Sequence, residues 1–207
     1  MSEMTNPYEI EQRCREAGHE VICGVDEAGA GPLAGPVYAA AVVLPMGLVI
    51  EGLNDSKKLT EKKREKLFDV ICEHAVAYAV TSVSEQEIDE INILNARMLA
   101  MDRAIKALKV PADFALIDGN RNAGIECPNE MVVGGDAKSA SIAAASILAK
   151  VSRDRYVTEV LDKEYPAYAF AKHKGYGTKL HMEMLDRFGP CPAHRRTFLR
   201  KWEAKKK

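Results

Sequence analysis

The stretch EVICGVDEAGAGPLAGPVYAAAVVL, residues 20–44, decides the fold. Its first part, up to Asp26, is short, apolar and rich in β-branched residues, which predicts a buried strand, and residues 37–44 predict a second one. Between them, Asp26 and Glu27 are followed by a glycine-rich loop. Because a backbone with few side chains lets another molecule come close, this loop is the first candidate for a binding site.

Strand and helix patterns alternate along the rest of the chain. They predict helices over 7–18 and 61–74, a strand over 76–84, a helix after a capping box at Ser84 to Glu87, strands over 114–118 and 131–135, and a long helix over 137–165. Thr60 is the expected cap of the second helix. The helical spacing of one aliphatic set predicts a buried stripe on the third: Leu94, Met98, Met101, Ile105 and Leu108. This order indicates an α/β layer architecture with a partly antiparallel sheet.

Length and composition fit one soluble globular domain. The chain has 207 residues, a formal net charge of -1 and 47% hydrophobic residues, which is enough to bury a core. Its apolar runs are shorter than the roughly 18 residues of a membrane span, and its polar N-terminal residues show no secretory signal. We therefore expect a cytoplasmic monomer that makes no membrane contact and keeps its five scattered cysteines as reduced thiols.

Positive charge is concentrated in three places despite the near-neutral total. The clusters are SKKLTEKKREK (56–66), KHKGYGTK (172–179) and HRRTFLRKWEAKKK (194–207). A single basic cluster is more often a solvated surface than a phosphate-binding site. Only a face shared with the acidic residues would favour binding of nucleic acid.

Four acidic residues stand where strands are predicted to end. Asp26 and Glu27 end the first strand, Asp118 ends the fourth, and Asp136 follows the fifth. Ligands of α/β sheets gather beyond the carboxyl ends of the strands, so these side chains could converge on one crevice. Converging carboxylates repel one another unless a cation lies between them, and oxygen ligands favour Mg²⁺ or Mn²⁺.

Each acid also has an ordinary structural interpretation. The pair Asp118 and Gly119 is typical of a turn, Asp136 could cap the long helix, and Asp26 and Glu27 could be polar residues at a strand exit. Adjacent strand residues also point to opposite faces, so Asp26 and Glu27 could share a metal only if the strand breaks at Glu27 or if Glu27 binds through another atom.

Other kinds of site have weaker support. The five histidines show no metal-binding spacing, and we expect them at the surface or as satisfied polar groups. The segment GAGPLAG, residues 29–35, lacks the patterns of a phosphate-binding nucleotide loop.

Six motifs together resemble one family. They are GVDEAGAGPLAGPV, GLNDSKKL, INILNARMLAM, LIDGN, GGDAKSASIAAASILAKVSRDR and HKGYGTKLH, and they resemble the bacterial type 2 ribonucleases H, the ribonuclease HII family, over about residues 21–198. The resemblance implies an RNase H-like fold with a central mixed five-stranded sheet flanked by helices. It implies one such domain over 1–207, with a core over about 21–165 and a C-terminal helical region over about 166–207.

The resemblance also implies an activity and a set of site residues. The activity is hydrolysis of the RNA strand of RNA–DNA hybrids and incision at ribonucleotides embedded in duplex DNA, leaving 3'-hydroxyl and 5'-phosphate ends, by a mechanism with two Mg²⁺ or Mn²⁺ ions. The implied catalytic and metal-binding residues are Asp26, Glu27, Asp118 and Asp136. The implied contacts to nucleic acid are Gly29, Ala30, Gly31 and Tyr176, and the candidates for phosphate contacts are Lys57, Lys58, Lys172, Lys174 and Lys179.

One position departs from the family. Ala30 lies where the family usually has arginine between two glycines, so the loop keeps its backbone and loses a guanidinium. Two alternative functions stay open: a hybrid-binding protein with weak activity, and an enzyme of the ribonuclease HIII type that prefers longer hybrids. The HIII type usually carries an additional N-terminal domain, for which the short lead-in is expected to leave no room.

Overall fold

Five strands form one mixed sheet in the order β3-β2-β1-β4-β5. The computed structural model describes residues 6–53 and 59–206. The strands are β1 (Ile22–Ala28), β2 (Val37–Val43), β3 (Ala77–Val83), β4 (Phe114–Asp118) and β5 (Asn129–Val132). The central mixed sheet flanked by helices is therefore confirmed.

Strand directions bring two of the predicted acids together. β1, β2 and β3 are antiparallel neighbours, whereas β1, β4 and β5 run parallel. Val25 pairs with Ile117, so Asp26 and Asp118 follow at the same edge of the sheet. Parallel neighbours end on the same side, and this is why acids far apart in sequence lie side by side.

Helices cover both faces of the sheet. They are α1 (Glu9–Glu16), α2 (Glu61–His74), α3 (Glu85–Lys106), α4 (Ala140–Tyr156), α5 (Asp162–Glu164), α6 (Phe170–His173), α7 (Lys179–Phe188) and α8 (Arg200–Ala204). Cys23 and Val25 pack with α3, while Gly24 faces α4. A Cβ atom on Gly24 would lie 2.1 Å from the backbone carbon of Ser141, so the small residues of α4 let it rest directly on β1.

Two predicted helix starts are confirmed. Thr60 caps α2, and Ser84 forms the capping box of α3 with Glu87. The aliphatic stripe of α3 was wrong at Leu94, which is 45% exposed. Asn92 has a φ of 66° that breaks the helix there, and its side chain then accepts from the amides of Leu94 and Asn95.

The long helix is capped by a serine. Ser139 accepts a hydrogen bond from the Ile142 amide, whereas Asp136 lies upstream in a 3-10 turn (Gly135–Ala137) and is not the cap. A π-helical turn (Val157–Leu161) follows α4 and leads into α5. None of the helices in the described part of the chain is long and apolar enough to cross a membrane.

The C-terminal region packs on the glycine-rich loop. Phe170 and Leu185 belong to its buried cluster together with Ala34 of the loop. Ala34 and His194 form an isolated antiparallel bridge, and the Leu33 amide donates to the Gly175 carbonyl. Contacts with the C-terminal region therefore fix the loop that follows β1.

Three histidines of this region form a buried group that the sequence did not reveal. His173 and His181 stack with ring centroids 4.4 Å apart, and the Nε2 atoms of His181 and His194 are 3.0 Å apart. His181 Nδ1 lies 2.9 Å from the Tyr176 carbonyl and must donate to it, so its Nε2 accepts from His194. His194 Nδ1 then accepts from the Cys191 amide. These contacts require neutral rings, and burial lowers the pKa of His181 and of His194 to about 4.

Acid should therefore destabilise the protein through this pair. The unfolded histidines gain protons below pH about 6.5 while the folded ones stay neutral to about 4, so the free energy of unfolding should fall as pH falls through that window. We expect a loss of roughly 2 kcal/mol from each histidine between pH 7 and pH 5, or about 4 kcal/mol from the pair, measured by urea denaturation. The raised pKa of Asp26 makes the free energy of unfolding change with pH in the opposite direction. The wild-type protein is therefore compared with His194→Asn, in which the fall in unfolding free energy per pH unit should be smaller. His74→Asn, an exposed histidine, is the control, and a slope equal in all three proteins would contradict this assignment.

Candidate active site

A cleft of about 230 Å³ lies at the edge of the sheet, where the acidic residues at the ends of β1 and β4 are located. It is lined by Asp26, Glu27, Ala28, Gly29, Ala30, Gly31, Asp118, Ser146, Lys150 and Tyr176. Three of the four predicted acids, the whole predicted loop segment and the predicted tyrosine are thus brought together. Ser146 and Lys150 of α4 line the cleft too, and the sequence analysis did not single them out.

Asp26 is the buried acid of the cleft, only 4% exposed. Its Oδ1 accepts from the Glu27 amide at 2.7 Å, and Ser146 hydrogen-bonds the same carboxylate. Burial raises the pKa of Asp26 well above its usual range, and the nearby charges of Glu27 and Asp118 raise it further. The carboxylate is therefore placed where a bound cation would strongly favour its ionised form.

Glu27 reaches the cleft from the other face of β1. The strand does not break at Glu27, because pairing with β2 continues through Ala28 and the chain turns only at Gly29, whose φ is 94°. Glu27 accordingly points toward α3, where its Oε1 lies 2.5 Å from Nη2 of Arg97. Arg97 was missed, since nothing in the sequence marks which residue of a long helix lies beside a given strand.

Asp118 and Asp136 are connected through one amide. Asp118 Oδ1 accepts from the Gly135 amide at 2.7 Å, which fixes the turn that carries Asp136. Asp136 itself is buried and lines a neighbouring cavity of about 260 Å³ with Tyr8, Leu48 and Leu53. Asp136 thus follows directly after Gly135, the residue that contacts Asp118, and is not among the residues that line the cleft.

The acids suit a hard cation by chemistry. In residues 6–53 and 59–206, no three Asp, Glu, His or Cys side chains are grouped tightly enough to hold a metal ion as they stand. Asp26 and Asp118 nevertheless lie close enough that the charge of Asp118 raises the pKa of Asp26, and their oxygens are the donors that Mg²⁺ and Mn²⁺ prefer. This pair therefore fits a divalent ion.

Two buried arginines hold the glycine-rich loop by its carbonyl groups. Arg195 donates to the carbonyls of Gly29 at 2.7 Å, Ala30 at 3.1 Å and Gly35 at 2.9 Å. Arg153 donates to those of Ala34, Pro36 and Lys174. Both side chains are fully buried, and burial lowers the pKa of Arg195 to about 9. Burying two guanidinium groups is costly, and six charge-assisted hydrogen bonds offset much of that cost.

Tyr176 and Lys150 both line the cleft. The Cε1 atom of Tyr176 would be 3.7 Å from a Cβ on Gly31, and the ring is 43% exposed. Lys150 Nζ lies 2.8 Å from Asp154 Oδ1, one helical turn along α4. An exposed aromatic ring and a cation at the cleft are features that suit a nucleic-acid strand.

The predicted phosphate contacts lie in different environments. Lys172 and Lys179 are exposed. The ammonium group of Lys174 instead donates hydrogen bonds to the Thr158 hydroxyl at 2.6 Å and to the Ala171 carbonyl. Lys174 would have to leave those partners to reach a phosphate. Lys57 and Lys58 lie outside the described residues.

Comparison with known proteins points to one family. A sequence model described as ribonuclease HII matches residues 23–204. The ribonuclease HII of Caldicellulosiruptor bescii is 55% identical over 200 residues, covering 97% of each chain. Among solved structures, the ribonuclease H2 of Pyrococcus horikoshii OT3 is 29% identical with a TM-score of 0.73, over 90% of this chain and 98% of that one. Bst-RNase HIII in complex with Mn²⁺ shares the fold, with a TM-score of 0.61 at 19% identity over 84% of this chain and 65% of that one.

Proposed function

The chain belongs to the ribonuclease HII family and is a ribonuclease H, and from that membership we propose that it cuts the RNA strand of RNA–DNA hybrids and incises duplex DNA at embedded ribonucleotides. The ends would be a 3'-hydroxyl and a 5'-phosphate. The reaction would depend on Mg²⁺ or Mn²⁺, in keeping with the Mn²⁺ named for Bst-RNase HIII.

The observation that carries this proposal is the group of three carboxylates beside an open backbone loop. Asp26 and Asp118 would hold the metal. Glu27 would be a further ligand once it is released from Arg97. Asp136 would contribute from its place beside Gly135. Bound divalent ions lower the pKa of a water molecule and neutralise charge on a departing oxygen. Ser146 would keep the Asp26 carboxylate oriented, since it bonds that carboxylate already.

Discrimination between RNA and DNA would come from the loop and Tyr176. The 2'-hydroxyl distinguishes the two sugars, and Ala30 and Gly31 present backbone to the cleft without a large side chain. Tyr176 beside Gly31 would stack on the sugar next to the cut. The carbonyls of Gly29 and Ala30 already accept from Arg195, which leaves the amides as the main recognition groups.

A cleavage assay with matched duplexes tests the proposal. Three fluorescent substrates of one sequence would be compared in Mg²⁺ and in Mn²⁺: a uniform hybrid, a DNA duplex with a single ribonucleotide, and all-DNA duplex. We expect cutting of the first two, no cutting of the third, and loss of all activity in EDTA. Activity that persists in EDTA would refute the metal, and an uncut single ribonucleotide would favour the preference for longer hybrids.

Ala30→Arg should strengthen substrate binding. A guanidinium at this lining position would add one charge-assisted phosphate contact, worth about 1.5 kcal/mol, so KM for the hybrid should fall roughly tenfold. The cut position should not change, because phosphate contacts position without specifying. Steady-state kinetics and product mapping measure both.

Ala30→Gln is the matched control, since it adds length without charge. If the wild-type protein leaves single ribonucleotides uncut and Ala30→Arg alone restores that cut, the side chain itself recognises the junction and the prediction is wrong.

A further inference from the structure

We propose that Arg195 is a positioning residue for the cleavage reaction, because its buried guanidinium turns the Gly29 and Ala30 carbonyls inward and so aims the amides of Ala30 and Gly31 at the bound strand. Neither the acids nor the loop sequence requires such a residue. The inference rests on the proposed function in one respect, namely that the bound strand is RNA paired with DNA.

The direction of the amides follows from peptide geometry. No cis peptide bond occurs in the described chain, and in a trans peptide the C=O and the following N–H point in opposite directions. The Gly29 carbonyl points to Nη2 of Arg195 and the Ala30 carbonyl to Nη1. The amides of Ala30 and Gly31 must therefore point away from the buried guanidinium, on the side where the loop lines the cleft.

These two amides are also free to bind. Neither donates a hydrogen bond within the portions of the chain that are described, and Gly31 is exposed. Two adjacent N–H groups that face one cleft make a site for an oxygen atom of the substrate, here the 2'-hydroxyl that the RNA strand has and DNA lacks.

Three carbonyl groups of the loop are bound at once, and this requires the forked guanidinium of an arginine. Arg195 uses all three nitrogens, and the third holds the Gly35 carbonyl at the far end of the loop. A lysine could keep the charge and could not span these carbonyls, since an ammonium is a single point of donation. Gly29 is pressed against Arg153, whose Nε would be 2.0 Å from an added Cβ, so the loop backbone has no room to shift inward.

Arg195→Lys tests the inference, with Arg196→Lys as the matched control, since Arg196 is adjacent and exposed. Binding of a fluorescein-labelled hybrid and of the all-DNA duplex of the same sequence is measured by anisotropy in EDTA, where cleavage is excluded. We expect Arg195→Lys to weaken hybrid binding roughly tenfold, as for two lost amide contacts, and DNA binding less than about twofold. The preference for hybrid should fall, and Arg196→Lys should retain it.

The salt dependence of binding separates this role from a phosphate contact. Arg195 is fully buried, so the slope of log affinity against log salt should be unchanged in Arg195→Lys. A slope reduced by about one would mean that Arg195 binds phosphate directly. Equal weakening on hybrid and DNA would mean a merely structural role, and either result overturns the proposal. Equal binding of both duplexes by the wild-type protein overturns it as well.

A second variant covers the case in which Arg195→Lys does not fold. An ester in place of the Ala30 peptide bond, introduced as lactic acid at position 30, removes that N–H and leaves the Arg195 side chain in place. It should lower the preference for hybrid in the same way, and an unchanged preference overturns the inference. Cleavage by the wild-type protein is scored separately, so an uncut hybrid refutes the proposed function while a lost binding preference in the variants still supports the role of Arg195.

Discussion

Asp118→Asn should abolish cleavage and leave the fold and hybrid binding largely intact. The Asp118 side chain keeps an oxygen that can accept from the Gly135 amide, so the turn that follows β5 should survive. The change removes one of the two carboxylates, Asp26 and Asp118, that are proposed to hold the metal. It also relieves the repulsion that raises the pKa of Asp26. We expect turnover to fall by on the order of 10³ or more, the effect of removing one preorganised charge from an active site.

Initial rates, thermal unfolding and anisotropy measure the three properties. The control is Asp113→Asn, which makes the same substitution at the opposite end of β4, where Asp113 accepts from the amides of Glu20 and Val21. Asp113→Asn should retain activity. Near-normal turnover of Asp118→Asn at saturating Mg²⁺ would refute the assignment of Asp118 as a metal ligand.

Gly24→Ala should cause a large loss of stability. The added Cβ would lie 2.1 Å from the Ser141 carbonyl carbon and 2.2 Å from the Ile142 nitrogen, both backbone atoms that cannot swing aside. Forcing β1 and α4 apart should cost roughly 3 kcal/mol or more, the upper end of overpacking effects. Since unfolding free energies are about 5–15 kcal/mol, this is a substantial fraction of the total.

Denaturant unfolding and thermal melts measure the loss, and a fall in Tm of roughly 6–12 °C corresponds to it. Activity should fall as well, since Ser146 moves with α4 away from Asp26. Gly31→Ala is the control for stability, because an added Cβ there meets nothing closer than 3.7 Å. Equal unfolding midpoints for the two variants would show that the contact between β1 and α4 is not tight.

Some of this site follows from sequence because it depends on strand direction alone. Asp26 and Asp118 each follow an apolar strand, and parallel pairing then brings them to one edge. The Ala-rich and Ser-rich start of α4 likewise predicts a close approach, which Gly24 provides. These features need only local patterns and one topological rule.

The rest depends on packing between distant segments, which a single sequence does not encode visibly. Arg195 and Arg196 are neighbours in a basic cluster, yet one is fully buried and the other exposed. The pairing of Glu27 with Arg97 needs the rotation of α3 about its axis, and the kink at Asn92 changes that rotation. Periodicity predicts a continuous stripe and therefore misplaces Leu94.

The contacts of Arg195 also set the order in which a growing chain can complete its cleft. Arg195 is separated from Gly29 by 166 positions of sequence, and a ribosome adds about 5–20 residues per second. Roughly 8–33 seconds of synthesis therefore pass between the loop and the arginine that fixes it. The strands that carry Asp26 and Asp118 are made well before that point, so the loop beside them is the last wall of the cleft to be set during translation.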